Sequence, residues 1–233
     1  MGRQIKGLLY YYWADQRHNL MIFWSILLSI LVVSVFLSDL LLSEEVGSVY
    51  FGFPFATYFY AGIFGFLSVK EKILYSLKIG ATRKNIFISL GIFFFLLSLT
   101  KAVFSSMVQQ ITIIYMEAVN HTTFNFLHFA ALLEDTFINR IVLDTAIMFL
   151  LMTISLIIGL SFNRFGLLGA GSFIGVIAIV LLLGTAQGWL IDWIVDTLSG
   201  IDMTFFYQMI VVSAILYIGT FLFIRRITTV KLK

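Results

Sequence analysis

Residues 141–191 read IVLDTAIMFLLMTISLIIGLSF, then NR, then FGLLGAGSFIGVIAIVLLLGTAQGWLI. Two apolar runs, Ile141–Phe162 and Phe165–Ile191, flank the polar pair Asn163-Arg164. A helix needs about 20 apolar residues to cross a hydrocarbon core of roughly 30 Å. Each run is long enough, and an arginine between them marks a turn on the water side. Neither run alternates apolar and polar residues, so they read as helices rather than barrel strands. Working outward, the same test finds Leu20–Leu42, Val46–Val69, Ile86–Met116 and Met203–Ile224. The predicted fold is a single all-α integral membrane domain, residues 1–233, with six transmembrane helices. The run 86–116 exceeds one crossing, so it is expected to continue as helix beyond the outer surface or to turn along it.

Composition supports lipid as the solvent. Of 233 residues, 61% are hydrophobic and 12% charged, with a mean hydropathy of +1.02. Soluble domains lie nearer 45–50% and about 25%, so a soluble enzyme and a disordered chain are both excluded. Cysteine is absent, which removes disulfides, thiol chemistry and Cys-based zinc sites. The first 19 residues carry Arg3, Lys6, Asp15, Arg17 and His18 ahead of a run too long for a signal peptide, so no cleavable signal is expected.

Lysine and arginine set the orientation. Six spans place Arg3, Lys6 and Arg17 on one side with Lys70, Lys72, Lys78, Arg83, Lys84, Arg164, Arg225, Arg226, Lys231 and Lys233. That is 13 of the 15 basic residues; Lys101 and Arg140 are the exceptions. Both termini are therefore predicted to be cytoplasmic. The net charge of +3 is spent on membrane flanks, and no nucleic-acid partner is expected.

Two cytoplasmic segments carry more than charge. In residues 3–18, Ile5, Leu8, Leu9, Tyr12 and Trp13 recur at helical spacing, with Arg3, Lys6, Gln16 and Arg17 mostly elsewhere. This predicts an amphipathic interfacial helix leading into the first span; a basic, aromatic flank of any first span has a similar look. Residues 70–85 read KEKILYSLKIGATRKN. Ile73, Leu74 and Leu77 share one helical face, and Lys70, Lys72 and Lys78 decorate the rest. Gly80 suits a left-handed helix stop, and Thr82 suits an N-cap for the next helix. The segment is either a docking element or a basic linker held against anionic lipid headgroups.

Within the spans, four features stand out. Phe51, Phe53, Phe55, Tyr58, Phe59, Tyr60, Phe64 and Phe66 crowd the second span around Pro54, the only proline, which is expected to kink it. Gly62 and Gly65 permit close approach of another helix. Gly171-x-x-x-Gly175 in span five is a close-packing signature, within the subunit or across a dimer. Ser98, Lys101, Ser105, Gln109 and Thr112 form one polar stripe on span three. A lysine at the bilayer centre costs roughly 2.5–3.5 kcal/mol on insertion scales, so the stripe should face protein or a wet cavity, with Asp144 a partner for Lys101 if the lysine snorkels outward. It packs a neighbouring helix or touches a substrate.

Several chemistries are missing. No Gly-x-x-x-x-Gly-Lys-Ser/Thr occurs, so the chain carries no phosphate-cradling loop of its own. The histidines are His18, His121 and His128, all in flanks or loops, and no His-Glu-x-x-His exists, so no catalytic or metal-ligating set is expected. Glu44-Glu45 reads as a solvated corner, in a chain whose other outer segments include Asn120-His121-Thr122 and Asp192, Asp196 and Asp202. Ser98-Leu-Thr-Lys101 has the Ser-x-x-Lys spacing of an amine-activated serine, without a second element to accompany it.

The run LKIGATRKNIF at 77–87, following a membrane-exit helix, resembles the cytoplasmic turn of bacterial ABC-transporter permeases of the type 2 exporter class. The layout is similar as well: elbow helix, six spans, both ends inside, and an outer hairpin before the last span. That hairpin usually holds two short re-entrant helices, and Gly188–Asp202 is brief for this. The resemblance implies that residues 70–85 form the coupling helix, with Ile73, Leu74, Leu77, Lys78, Gly80, Arg83 and Lys84 docking a separate ABC ATPase that holds ATP and Mg. It implies a second permease copy, with Gly171 and Gly175 in close packing, and a route bordered by Phe55, Tyr58, Phe59, Phe66 and Lys101. Small permeases of this kind in low-GC Gram-positive bacteria, phenol-soluble modulin and bacteriocin-type exporters among them, export or give immunity to peptides. The expected function is thus export of hydrophobic or amphipathic substrates across the cell membrane. A non-pumping immunity or channel protein and an intramembrane serine hydrolase are the alternatives.

Overall fold

The computed structural model describes residues 2–42, 49–119 and 124–227. Glu44-Glu45, the Asn120-His121-Thr122 run, Lys231 and Lys233 lie outside them. The described chain is all-α apart from one pair of short strands. In order it runs α1 (Gly2–Leu42), β1 (Val49–Phe51), α2 (Phe53–Ser68), a π-helical turn (Val69–Leu74), α3 (Tyr75–Lys78), α4 (Arg83–Ala118), β2 (Phe124–Phe126), a 3-10 turn (Phe129–Leu132), α5 (Phe137–Ala186), α6 (Trp189–Ser199) and α7 (Met203–Ile224). Four helices are long and apolar enough to cross a membrane, α1, α4, the first part of α5 and α7. A fifth results if Ile174–Ala186 and Trp189–Thr197, bent by 90°, count as one span.

The first helix is continuous over 41 residues, about 62 Å at 1.5 Å per residue. The predicted boundary between residues 3–18 and the first span is not marked by a break. The apolar face of its early turns is covered by the chain itself: Leu8 and Tyr12 are buried in the main core. The 36-residue α4 likewise continues as helix past the expected outer limit.

Two expectations are corrected. Val49–Phe51 is not helical but pairs in parallel with Phe124–Phe126, Val49 opposite Phe124 and Phe51 opposite Phe126. The aromatic and branched side chains of both segments suit a pleated surface, and they pack with Phe53, Leu27, Leu31 and Met116 into a second apolar cluster. As a result Pro54 stands in the first turn of α2 rather than inside a span. There its missing N–H would have had no helical partner, so it starts the helix instead of kinking it.

The long α5 is two helices. Gly166 has φ 65° and ψ −151°, a conformation reserved almost entirely for glycine. A Cβ on Gly169 would stand 2.7 Å from the Ser161 carbonyl oxygen. In a straight helix eight residues span about 12 Å, so the chain folds back at Gly166. Gly166 thus belongs to the turn beside Arg164, not to the following helix. Residues 137–165 form the central element, packed against α2, α4 and α7. Lipid offers little hydrophobic gain for helix association, so close packing and interhelical polar contacts decide it. Gly65 of α2 supplies that closeness, since a Cβ there would meet the Met152 carbonyl oxygen at 2.3 Å. Gly159 does the same from α5 against Phe66. The predicted Gly171-x-x-x-Gly175 pair, by contrast, has nothing within 4 Å of either position.

Candidate functional site

Polar side chains converge in three places: at the segment 69–85, beside Lys101, and around Asp144. The first is anchored by α1. Lys72, fully buried, pairs with Asp15. Its ammonium also lies 5.8 Å from the Phe64 ring centre and 5.9 Å from that of Tyr11. Tyr12 shares a 3.0 Å hydrogen bond with Ser76, Tyr11 stacks on Tyr75, and Gln4 receives a hydrogen bond from Asn85. Gly80 has φ 85°, the left-handed stop expected of it. Thr82 caps α4 by accepting from the Asn85 N–H at 3.4 Å. The segment is therefore a rigid bracket between α2 and α4, tied to α1 by an ion pair whose lysine is buried and whose aspartate is exposed.

Its faces are distributed differently from the expectation. Ile73 is wholly buried in the main core, and Leu74 and Leu77 are packed against that core. These three point inward because α2 continues into them without a break, so their shared face is the one already turned to the bundle. The exposed surface is instead Lys70, Glu71, Tyr75, Lys78, Ile79, Gly80, Thr82, Arg83 and Lys84. Ile79 is 56% exposed and Tyr75 45%, an apolar pair within a basic rim. Arg83 also donates to the Ile227 carbonyl at 2.9 Å, which joins the bracket to the end of α7.

Lys101 sits near the middle of α4 and is 1% exposed. Its ammonium has no hydrogen-bond partner. Instead it lies 3.5 Å from the centre of the Tyr60 ring and 4.3 Å from that of Phe23. Ring faces attract a cation, but they accept none of its three N–H groups in the ordinary way. Leaving a buried donor unsatisfied costs about 1–3 kcal/mol, more when it is charged. The stripe is buried along Ser98, Lys101, Ser105 and Gln109. Ser98 donates to the Phe94 carbonyl at 2.9 Å, so the Ser-x-x-Lys spacing is not realised as a serine–amine bond. Asp144 is not the partner of Lys101 either; it is engaged elsewhere.

Asp144 is fully buried in the early turns of α5. The Tyr58 hydroxyl donates to its Oδ1 at 2.5 Å, and His128 Nε2 lies 3.2 Å from the same oxygen. His128 Nδ1 accepts the Ala130 N–H at 2.8 Å and so caps the 3-10 turn. A ring nitrogen that accepts carries no proton, so the proton of a neutral His128 is on Nε2, which lies near the carboxylate without a hydrogen bond to it. One turn earlier, Arg140 holds Asp135 with two hydrogen bonds of 2.5 and 2.6 Å. Those bonds keep the Asp135 carboxyl below its ordinary value, against the opposing effect of partial burial. Sequence reading did not find the Tyr58–Asp144–His128 cluster. A lone carboxylate inside an apolar run is the signal that would have found it.

The aromatic residues proposed to border a route do not share one face. Tyr58 turns inward to Asp144, Phe55 is half-buried beside it, and Phe59 and Phe66 are exposed. Among the described residues no cluster of three or more His, Asp or Glu could hold a metal ion. Comparison with family models, curated proteins and solved structures finds no match to this chain.

Proposed function

We propose that this chain is the membrane subunit of an ATP-driven exporter in a bacterial cell membrane. In this reading it crosses six times: by α1, by α2 with its π-helical turn, by α4, by the two arms of α5, and by α7. The observation that carries the reading is the bracket at 69–85. It is fixed to the bundle by Ile73 and the Lys72–Asp15 pair, and it presents Tyr75, Lys78, Ile79, Arg83 and Lys84 to the same side as Arg164 and Arg225. A rigid connector with an apolar patch and a basic rim suits docking of a separate ATPase, on which ATP and Mg would be held. Pressure on the bracket would reach α2 and α4 directly and α1 through Asp15. Bistable packing of those helices would alternate access for a hydrophobic or amphipathic solute. A second copy would complete the route, and the open Gly171–Gly175 face of α5 suits its approach.

The test is isolation of the tagged chain from its native membrane in mild detergent. Recovery of a stoichiometric nucleotide-hydrolysing subunit supports the exporter. Recovery of the chain without one supports the non-pumping immunity or channel reading.

A further inference from the structure

A fourth convergence is one of charge alone. Between the turn of α5 and the end of α7, Arg164, Arg225 and Arg226 line one open cavity of about 280 Å³ together with Leu222 and Phe223. All three arginines are exposed, and among the described residues none pairs with a carboxylate. Asp15 is taken by Lys72, and Glu71 does not line the cavity. The end of α7 is held in place. Ile224 and Ile227 are buried on either side of the arginine pair, and Arg83 donates to the Ile227 carbonyl at 2.9 Å. A helix C-terminus favours cations beside it. Here, though, the Phe221, Phe223 and Ile224 carbonyls already accept the N–H groups of Arg225, Arg226 and Ile227, and α7 gives no reason for Arg164 to join from another helix. Three like charges around one cavity repel, and an anion among them turns repulsion into attraction.

We propose that this cavity binds the phosphate of an anionic phospholipid headgroup, drawn from the leaflet beside the end of α7. Guanidinium forks match phosphate oxygens with paired hydrogen bonds, and basic cavities between membrane helices are headgroup sites. The rest of the lining fits a lipid rather than a free ion. Leu222 is exposed and Phe223 half-buried, so the cavity is apolar on the side of the span, where an acyl chain leaves the headgroup. The lining also chooses among lipids. With no carboxylate in it, the ammonium of a zwitterionic headgroup finds no partner, and a headgroup whose only charge is its phosphate is favoured. The site goes beyond the exporter reading and needs no motor; it rests only on α5 and α7 crossing the bilayer.

Native mass spectrometry of the full chain, released from mild detergent, tests this by counting retained lipids. The probes are dioleoyl phosphatidylglycerol, dioleoyl phosphatidylcholine and inorganic phosphate. Phosphatidylglycerol is expected to occupy one site at concentrations roughly 10- to 100-fold lower than phosphatidylcholine, the range that a few basic residues support. Arg164→Gln with Arg225→Gln and Arg226→Gln should abolish that preference. Arg3→Gln with Lys6→Gln and Arg17→Gln removes the same charge from another exposed flank and should leave the preference intact. Arg164→Gln and Arg226→Gln should each weaken it alone, which keeps the test decisive if the triple variant fails to fold. Equal retention of the two lipids by the wild type, or no weakening in either single variant, overturns the site. So does an equal loss in the two triple variants, which would mean diffuse surface charge. Displacement of phosphatidylglycerol by inorganic phosphate at equal concentration overturns the assignment to a lipid. The assay needs no ATPase, so a selective site in a chain that purifies without a motor would uphold the inference while the exporter reading fails.

Discussion

Tyr58 of α2 donates its hydroxyl to the buried carboxylate of Asp144 on α5 at 2.5 Å. The two residues are 86 positions apart in sequence, and their bond lies where these helices pack. Tyr58→Phe keeps the ring, including its stacking on Phe129, and removes the only hydroxyl donor to Asp144 among the described residues. The loss should be about 1–3 kcal/mol, the cost of leaving a buried acceptor short of a donor. In the Asp144→Asn background the same change should cost less, since the stranded charge is gone. Thermal unfolding in detergent of the two single variants and the double variant measures this coupling. An additive pair of losses would mean that the bond contributes little.

The start of α5 carries a pH-dependent tie in Asp135 and Arg140. The carboxyl of Asp135 is held below the ordinary carboxylate range, chiefly by its hydrogen bonds to Arg140. A depressed carboxyl contributes stability above the unfolded value, and this is lost as pH falls through the folded value. The tie is therefore intact at neutral pH and is lost only as pH falls below the ordinary carboxylate range, through the lowered folded value. Because Asp135 is partly exposed, solvent screening keeps the contribution modest. Hydrogen exchange of residues 129–140 should show loosening on that acid limb, and Asp135→Asn should flatten the limb and loosen the segment at pH 7. An unchanged acid limb in the variant would assign the transition to another group.

Local chemistry was legible in the sequence; long-range partnership was not. Gly80 and Thr82 stop one helix and cap the next through their own backbone and hydroxyl, so their roles could be read from residues 77–86 alone. Arg164 marked the turn for the same reason, although Gly166 is the residue that makes it. Pro54 was misread because its meaning depends on where α2 begins, and that is set by the pairing of Val49–Phe51 with a segment 75 residues later. The inward turn of Ile73, Leu74 and Leu77 was hidden because an amphipathic face names no partner. It fits an external groove as well as the chain's own core. The Lys101 stripe was visible as a face that must be buried, but the rings of Tyr60 and Phe23 arrive from other helices.

Glycine substitutions separate turn, contact and open face. Gly166→Ala forces a side chain into φ 65°, ψ −151° and should cost about 1–3 kcal/mol. Gly65→Ala places a Cβ against the Met152 carbonyl and should cost a similar amount by overpacking. Gly171→Ala meets nothing within 4 Å and should leave the isolated chain as stable as the wild type. Detergent unfolding gives the ranking. If two copies pair through this face, Gly171→Leu should reduce crosslinked dimer while monomer stability stays unchanged. A Gly171→Ala loss equal to that of Gly65→Ala would show that the face is packed within one chain.

The bracket's two faces give opposite signatures. Ile73→Ala empties a fully buried core position and should cost about 2–5 kcal/mol, lowering stability before any partner is considered. Lys78→Glu with Lys84→Glu alters only exposed side chains, so unfolding should shift by less than about 0.5 kcal/mol. If an ATPase docks on this rim, the charge reversal should nevertheless strip the motor from the purified complex and decouple nucleotide turnover from transport. Arg83 is unsuitable for the same test, since its guanidinium also holds the Ile227 carbonyl. Retention of a motor at wild-type stoichiometry by the double variant would move the docking surface away from residues 75–84. Loss of the motor with an unchanged unfolding temperature would locate it there, because a folding defect lowers both readings and a docking defect lowers one.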